Sequence, residues 1–270
     1  MGSLFLAAFA VVLLAAQNPP PTAPRTTPEA GNQAVIGAQS QIRPAPAGYK
    51  FPDGQRLVYE VEWRLLSAGV ATLHMDNSGQ EQHITGNADS IGVVSLLYRV
   101  HDRFESYFDT KTFCSSLMTK HTEEGFRRLD TLIRFEYGRR KSVLQQKNLK
   151  NGQTRQAEND IPACATDIVS GIFYVGSLPL QSGVSYTFPL NDGGTTVDVQ
   201  ARVEAREEVK TPAGTFQALR VQPEPTSGPL KQKGRIWIWY SDDTAHTPVQ
   251  MRARLSWGTL TFRLQRIERK

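Results

Sequence analysis

The sequence predicts a mainly β protein, built as a strongly curved antiparallel sheet or open β-barrel of about 12 strands with one short buried helix. Polar and apolar residues alternate with a period of two along most segments after residue 55. Turns containing glycine, proline or aspartate separate these segments at short intervals. Strands and helices do not alternate along the chain, which excludes a parallel α/β sheet.

The first 47 residues are predicted to lie outside the folded domain. The 13 apolar residues from Leu4 to Ala16 are too few for a membrane-spanning helix, which needs ~20, but they suit the core of a secretory signal peptide. Residues 17–47 contain seven of the 16 prolines and no aromatic residue, which is typical of a disordered tether. We therefore expect a signal peptide at 1–16, or an uncleaved anchor, and one β-rich domain over 48–270. The protein is expected to be periplasmic or secreted, without a transmembrane segment after signal cleavage.

The first half of the domain is predicted to consist of successive strands. The clearest is 57–66, where Tyr59, Val61 and Trp63 alternate with polar residues and indicate a half-buried strand. Residues 90–97 suit either a short helix or an irregular buried segment, and residues 148–158 are polar and are assigned to a loop. The other predicted strands here are 70–75, 84–88, 100–108, 117–122, 127–137 and 141–147.

One helix is predicted, beginning at Thr166 and ending at Val175. Thr166 or Asp167 can accept hydrogen bonds from its first N–H groups, and Pro179 follows its end. Ile168 and Ile172 recur at helical spacing. Because the segment is apolar on all sides, we expect the helix to lie buried on the concave side of the sheet.

The remaining strands contain a segment that is apolar on both faces. Trp237 and Trp239 alternate with Ile236, Ile238 and Tyr240, which indicates a central strand covered on both sides. The predicted strands of this half are 186–190, 196–208, 216–221, 235–240, 249–255 and 260–267.

Several short motifs occur in order between residues 55 and 267. They include Leu57-Val-Tyr-Glu-Val-Glu-Trp63, Val100-His-Asp-Arg-Phe104-Glu-Ser106, Asp167-Ile-Val-Ser-Gly-Ile-Phe-Tyr174, Thr211-Pro-Ala-Gly-Thr-Phe216 and Gly234-Arg-Ile-Trp-Ile-Trp239. In this order the chain resembles the bacterial family called domain of unknown function 3108. The resemblance implies an exported, β-rich single domain of unestablished activity and implies no catalytic residue. Val175-Gly-Ser177 departs from relatives, which tend to have a basic residue after the aromatic pair.

The two cysteines, Cys114 and Cys164, are expected to form a disulfide bond. An even number of cysteines in an exported protein favours this pairing. Zinc binding is the weaker alternative, since neither cysteine has a Cys or His neighbour at the spacing of a zinc site.

The net charge of +5 comes from basic residues placed along the strands. Arg252, Arg254 and Arg263 belong to this set, and alternate positions place such residues on the outer face of a sheet. This pattern indicates either a solvated face or a patch for an anionic surface such as lipid headgroups or polysaccharide. No nucleic-acid-binding motif occurs, so nucleic acid is not an expected partner.

No catalytic, cofactor-binding or metal-binding residue is predicted. Asp242, Asp243 and His246 form the one cluster of histidine with carboxylates, and they are interpreted as a β-turn, with a metal site or catalysis as alternatives. No GxSxG motif is present. Glu60 and Glu62 form a carboxylate pair, but they lie on the outward face of the first strand.

These observations favour a non-enzymatic envelope domain that binds a lipid-like or other amphipathic ligand, or an envelope protein partner. A structural or scaffolding protein and an envelope hydrolase using Asp243 and His246 are the alternatives. A ligand would occupy a hydrophobic cavity inside the curved sheet. The residues proposed to line it are Tyr59, Trp63, Phe104, Trp237 and Trp239.

Overall fold

A computed structural model describes residues 40–64, 66–227, 234–256 and 258–269 of the 270-residue chain. In these residues 14 strands form a single antiparallel sheet, accompanied by two short α-helices. The mainly β prediction is therefore confirmed, with 14 strands rather than about 12.

The first half of the described residues contains eight strands and one helix. They are β1 (Gln55–Trp63), β2 (Leu66–Ser78), β3 (Glu81–Ser90), α1 (Gly92–Leu97), β4 (Val100–Asp109), β5 (Ser115–Glu124), β6 (Arg127–Glu136), β7 (Lys141–Asn148) and β8 (Thr154–Asp160).

The second half begins with the buried helix and adds six strands. They are α2 (Ile168–Ser177), β9 (Ser185–Asn191), β10 (Thr196–Thr211), β11 (Gly214–Pro225), β12 (Arg235–Ser241), β13 (Pro248–Leu255) and β14 (Gly258–Arg269).

The strands follow one another across the sheet in a meander that starts in the middle. From β1 the chain proceeds strand by strand to β8, which is one edge. It then crosses through α2 to β9, the other edge, and returns strand by strand to β14, which pairs with β1. The β1–β14 pairing joins the N-terminal and C-terminal halves of the domain.

The sheet is not closed, but its two edges lie close together. Thr166, in the segment that leads into α2, forms a parallel bridge with Leu190 of β9. The side-chain amide of Asn191 donates to the Ser142 hydroxyl across a distance of 3.2 Å. These contacts join β9 to β7 and to the segment before α2, and they form a seam in which a few hydrogen bonds replace a regular ladder.

Helix α2 occupies the concave side of the sheet, as predicted. Every residue of α2 except Ile168 is buried. The Tyr240 hydroxyl of β12 donates to the Ile172 carbonyl oxygen at 2.8 Å, which fixes the helix to the second half of the sheet. The helix starts and ends two residues later than predicted because Asp167 is its N-cap and lies outside the first turn.

One other sequence prediction needs correction, and one that left two alternatives open is now decided. Residues 154–160, largely assigned to a loop, form the edge strand β8, whose side chains are mostly exposed. A strand exposed on both faces carries no apolar alternation that would reveal it. Residues 92–97 form a helix, which is one of the two alternatives that the sequence left open. Val94 is the only buried residue of this helix.

The predicted signal peptide at 1–16 and most of the predicted tether lie outside the described residues. The described part of the tether contacts the domain: the Gln41 N–H donates to the Thr187 carbonyl oxygen, and the Arg43 N–H donates to the Tyr174 hydroxyl. No helix among the described residues is long and apolar enough to cross a membrane.

Candidate functional site

The predicted disulfide bond between Cys114 and Cys164 is present, with a Cα–Cα distance of 5.0 Å. Cys114 precedes β5, and Cys164 lies three residues before the N-cap of α2. The bond therefore fixes the start of the buried helix to the sheet.

A buried network of serines surrounds the Asp167 carboxylate at the start of α2. One carboxylate oxygen accepts hydrogen bonds from the Ser106 and Ser115 hydroxyls at 2.6 and 2.7 Å. The other accepts from the backbone N–H groups of Val169 and Ser170. All these groups are engaged in capping the helix, so the serines serve a structural purpose.

The predicted β-turn at Asp242–His246 is also structural. The Asp243 carboxylate accepts from the Ala245 N–H and the Ser241 hydroxyl, both at 2.9 Å. The His246 ring donates from Nδ1 to the Gly176 carbonyl oxygen at the end of α2. Across the described ranges, no three His, Cys, Asp or Glu side chains lie close enough together to hold a metal ion.

The five residues proposed to line a cavity lie in different environments in the structure. Tyr59 is fully buried, and its hydroxyl donates to the Pro248 carbonyl oxygen at 2.8 Å. The Phe104 ring fills the space above Gly86, where a Cβ atom would lie 2.0 Å from the ring. One void, lined by described residues of α2 and of the strands around Tyr240, has a volume of about 10 Å³.

The tryptophans lie elsewhere. Trp237 and Trp239 lie on the outer face of β12, where the Trp239 indole N–H donates to Glu207 and the Arg252 guanidinium lies 5.2 Å from the Trp239 ring. Trp63 lies at the end of β1 beside the Arg64 side chain. The five side chains are thus not brought together.

An unexpected feature is a set of exposed apolar side chains at one end of the sheet, which we call the apolar rim. Eight large hydrophobic side chains are exposed among the described residues, and seven of them belong to this end. The rim consists of Leu66, Ile91, Val93, Leu96, Leu97, Phe126 and Leu149.

The rim is continuous because its residues belong to four connections that lie side by side at one end of the sheet. Leu66 follows the β1–β2 turn, α1 joins β3 to β4, Phe126 joins β5 to β6, and Leu149 follows β7. Neighbouring connections contact one another: the Gly125 N–H donates to the Arg99 carbonyl oxygen at 2.8 Å, and the Leu149 N–H donates to the Arg128 carbonyl oxygen at 2.9 Å.

The side chains at the centre of the rim project far into solvent. Leu96 and Leu97 of α1 are 85% and 77% exposed, and Phe126 is 91% exposed. Isolated exposed apolar residues are normal on protein surfaces, whereas a contiguous apolar patch marks an interaction site.

Basic residues in or directly beside the same four connections form a basic collar around the rim. The collar consists of the exposed residues Arg64, Arg99, Arg128 and Lys150. The Lys150 ammonium lies 5.2 Å from the Phe126 ring centre, so positive charge and apolar surface are directly adjacent.

Acidic residues near the collar are mostly engaged. Asp89 contacts His101, and Glu123 lies 3.5 Å from the His121 ring. Glu124 is buried inside the sheet. The collar therefore presents net positive charge to solvent.

A buried polar cluster lies behind the rim on the inner face of β4 and β5. The Lys120 ammonium lies 3.1 Å from the Asp102 carboxylate, and Glu124 completes the cluster. Burial raises the pKa of the Glu124 carboxyl above its ordinary value; Lys120 opposes this rise and Asp102 adds to it. The adjoining void, lined by Lys120 and Thr122, measures only about 30 Å³ and fits water-sized molecules alone.

A family model described as a protein of unknown function, DUF3108, matches residues 58–265. The chain belongs to this family. The match confirms the resemblance inferred from the motifs. No curated protein matches the chain significantly.

Two solved structures align with most of the chain. A β-barrel-like protein of the domain of unknown function DUF1849 from Brucella abortus aligns with a TM-score of 0.56 at 11% identity, covering 80% of this chain and 97% of that one. A Bacteroides fragilis protein with a YmcC-like fold aligns with a TM-score of 0.37 at 9% identity, covering 82% of this chain and 98% of that one. At this level of identity, the first likeness concerns the fold alone.

None of the rim residues lies in the motifs that carry the family resemblance. Those motifs instead supply inner-face residues such as Asp102 and Phe104, and the N-cap Asp167. The sequence signal for the rim was the placement of Leu96, Leu97 and Phe126 in connections, where small and polar residues are usual. The sequence does not show which connections lie side by side in the folded sheet. These exposed side chains could therefore not be recognised as one surface.

Proposed function

We propose that this protein is an exported, non-enzymatic domain that binds the surface of an anionic lipid bilayer through its apolar rim. The observation that carries this proposal is that, among the described residues, seven of the eight exposed large hydrophobic side chains lie at one end of the sheet. The ligand remains amphipathic, as the sequence suggested, but it contacts the end of the sheet instead of entering its interior.

The apolar side chains supply the first part of the binding energy. Removing a Leu or Phe side chain completely from water contributes ~1.5–3 kcal/mol. Leu96, Leu97 and Phe126 are the most exposed members of the rim, so their insertion at the bilayer interface would contribute on the order of 5 kcal/mol in total. This amount supports reversible attachment of a domain, not permanent anchoring.

The basic collar supplies the second part. A Lys or Arg close to an anionic membrane contributes ~1 kcal/mol, and the attraction is screened by salt. Arg64, Arg99, Arg128 and Lys150 are exposed around the rim and would reach the headgroups while the rim residues enter the interface.

The two other parts of the proposal, export and a non-enzymatic role, are supported by separate observations. The apolar segment from Leu4 to Ala16 supports export. The engagement of Asp167, Asp243 and His246 in caps and turns supports a binding role, since these side chains already have structural hydrogen-bond partners.

Sedimentation with lipid vesicles tests the proposal. We expect the wild-type domain to sediment with vesicles that contain phosphatidylglycerol, and to do so less at high salt and with pure phosphatidylcholine. The double substitution Leu96→Asp and Leu97→Asp should weaken binding at least tenfold, since it places two charges in the contact surface.

Ile267 offers a matched control, because it is an exposed apolar residue (39%) on β14 outside the rim. The Ile267→Asp variant should bind vesicles like the wild type. Absence of wild-type binding to anionic vesicles, or equal losses in the rim variant and the control, would rule out the rim as the lipid-binding surface.

A further inference from the structure

The outer face of the sheet contains an open groove that lies apart from the core. It has a volume of about 760 Å³ and crosses strands β12, β13, β14 and β1. Its principal side chains are Arg64, Lys210, Arg252, Arg254 and Arg263 around Trp237.

The groove carries a strong positive charge. Among the described residues that line it, Glu62 is the one with an acidic side chain, and Glu62 contacts Arg263 at 2.9 Å. In the described part of the chain, no acidic side chain pairs with Arg252 or Arg254. Two guanidinium groups are therefore available to an anion.

The spacing of the two arginines follows from the strand. Arg252 and Arg254 are two residues apart on β13, so their Cα atoms are separated by roughly 7 Å on one face. They pair across β14 with Thr261 and Thr259. This arrangement presents two anion-binding groups in a row, each beside a hydroxyl group.

Arg263, a third basic residue of the groove, is held in place by two hydrogen bonds. Arg263 donates from Nη1 to Glu62 and from Nη2 to the Lys210 carbonyl oxygen, both at 2.9 Å. These bonds connect the β10–β11 hairpin to β14. One wall of the groove is therefore fixed before any ligand arrives, which lowers the entropic cost of binding.

Trp237 adds a flat apolar surface between these charges. Its neighbour across the strand pair is Arg252, and both side chains lie on the outer face. An indole ring packs well against the flat C–H face of a sugar ring, and hydroxyl and amide groups such as those of Thr259, Thr261 and Gln250 can bond to sugar hydroxyls.

We infer that this groove binds an acidic saccharide chain, with carboxylate or phosphate groups on Arg252 and Arg254 and a sugar ring on Trp237. Arginine forms two parallel hydrogen bonds with such groups, which gives both strength and orientation. A single-stranded nucleic acid is a less suitable ligand because its bases need several aromatic platforms, and the described residues that line the groove offer one.

Saccharide binding in the groove does not require lipid binding at the rim. The groove lies on the sheet face, and most of the rim lies on connections between β1 and β8. Arg64 belongs to both surfaces and is therefore left unchanged in the tests.

Titration with a tetrasaccharide of galacturonic acid, followed by calorimetry and tryptophan fluorescence, tests the inference. We expect measurable binding of this probe and at least tenfold weaker binding of the neutral galactose tetrasaccharide. The double substitution Arg252→Gln and Arg254→Gln should weaken binding of the acidic probe at least tenfold. Trp237→Ala should weaken binding of the acidic probe as well.

The matched control removes two charges from the outer face of the other half of the sheet. Arg134 and Lys147 are exposed on β6 and β7, and their replacement by Gln should leave saccharide binding unchanged. Vesicle binding should persist in the Arg252/Arg254 variant, and saccharide binding should persist in the Leu96/Leu97 variant.

Three results would overturn the inference. The first is no binding of the acidic tetrasaccharide to the wild-type protein. The second is an equal loss in the groove variant and the Arg134/Lys147 control, which would indicate a general effect of charge. The third is equal or tighter binding of a single-stranded oligonucleotide with the same number of charges.

Discussion

At the scale of single residues, the polar groups of the inner face are the notable features. The alternation that places Phe104 inside the sheet also places Asp102 there, two residues earlier. Asp102, Lys120 and Glu124 then meet because β4 and β5 pair in register. An inward-facing acid was visible in the sequence, but its basic partner on the next strand was not, because the register between the strands is set by the fold.

The Glu124 carboxyl should make stability depend on pH. Because burial raises its folded-state pKa, the folded protein holds this proton more tightly than the unfolded chain. The resulting stabilisation is complete below the unfolded pKa of ~4.3 and is lost as the pH rises through the folded pKa. Glu124→Gln should therefore increase the free energy of unfolding relative to wild type more at pH 8 than at pH 4, as measured by urea denaturation across this range.

The substitution Glu123→Gln, on the outer face of β5, controls for the loss of a charge at a neighbouring position. A difference between Glu124→Gln and wild type that stays constant with pH would contradict the assignment of a raised pKa to Glu124.

At the scale of elements, α2 is the structure that organises the second half of the domain. Its N-terminus is held by the Asp167 cap and the Cys114–Cys164 bond, and Tyr240 holds its middle. Its existence and burial could be predicted, because a segment that is apolar on all sides has no surface to present to water. By contrast, β8 was missed, since its polar edge sequence resembles a loop.

Removal of the disulfide bond should destabilise the domain substantially. The bond closes a loop of 50 residues, for which chain entropy gives a contribution of about 4 kcal/mol. The double variant Cys114→Ser and Cys164→Ser should lose about this amount in the free energy of unfolding in urea. Wild-type protein measured with a reducing agent should match the variant; a stable reduced protein would show that the loop is already ordered without the bond.

At the scale of the whole molecule, an open sheet must hold its two edges in position without a regular ladder. The seam relies on Thr166, Leu190 and Asn191, and on close packing of the β9–β10 turn against the first half of the sheet. Gly193 lies in this turn with a φ of 89°, and a Cβ atom there would be 2.5 Å from the Ile133 side chain. The meander connects the two halves of the sheet at β1 and β14, and the seam connects them again at their free edges.

Gly193→Ala should therefore destabilise the domain by about 2 kcal/mol, from the unfavourable φ and from the clash with Ile133. Gly152→Ala provides the control, since Gly152 also has a positive φ (71°) but has no atoms within 4 Å of the added Cβ. Thermal or urea unfolding should show a clearly larger loss for Gly193→Ala. Equal losses of stability in the two variants would mean that the positive φ alone accounts for the destabilisation and that the seam is loosely packed.

The sequence by itself determined the fold class, the family, the buried helix and the disulfide pair, because alternation, turn residues and cysteine number are local signals. The tertiary structure alone decided which connections lie side by side. Leu66, Leu97, Phe126 and Leu149 are spread over more than 80 positions, and they form one rim because every second connection of a meander lies at the same end of the sheet. The same pairing of neighbouring strands placed Trp237 beside Arg252 on the outer face, away from the buried Tyr59.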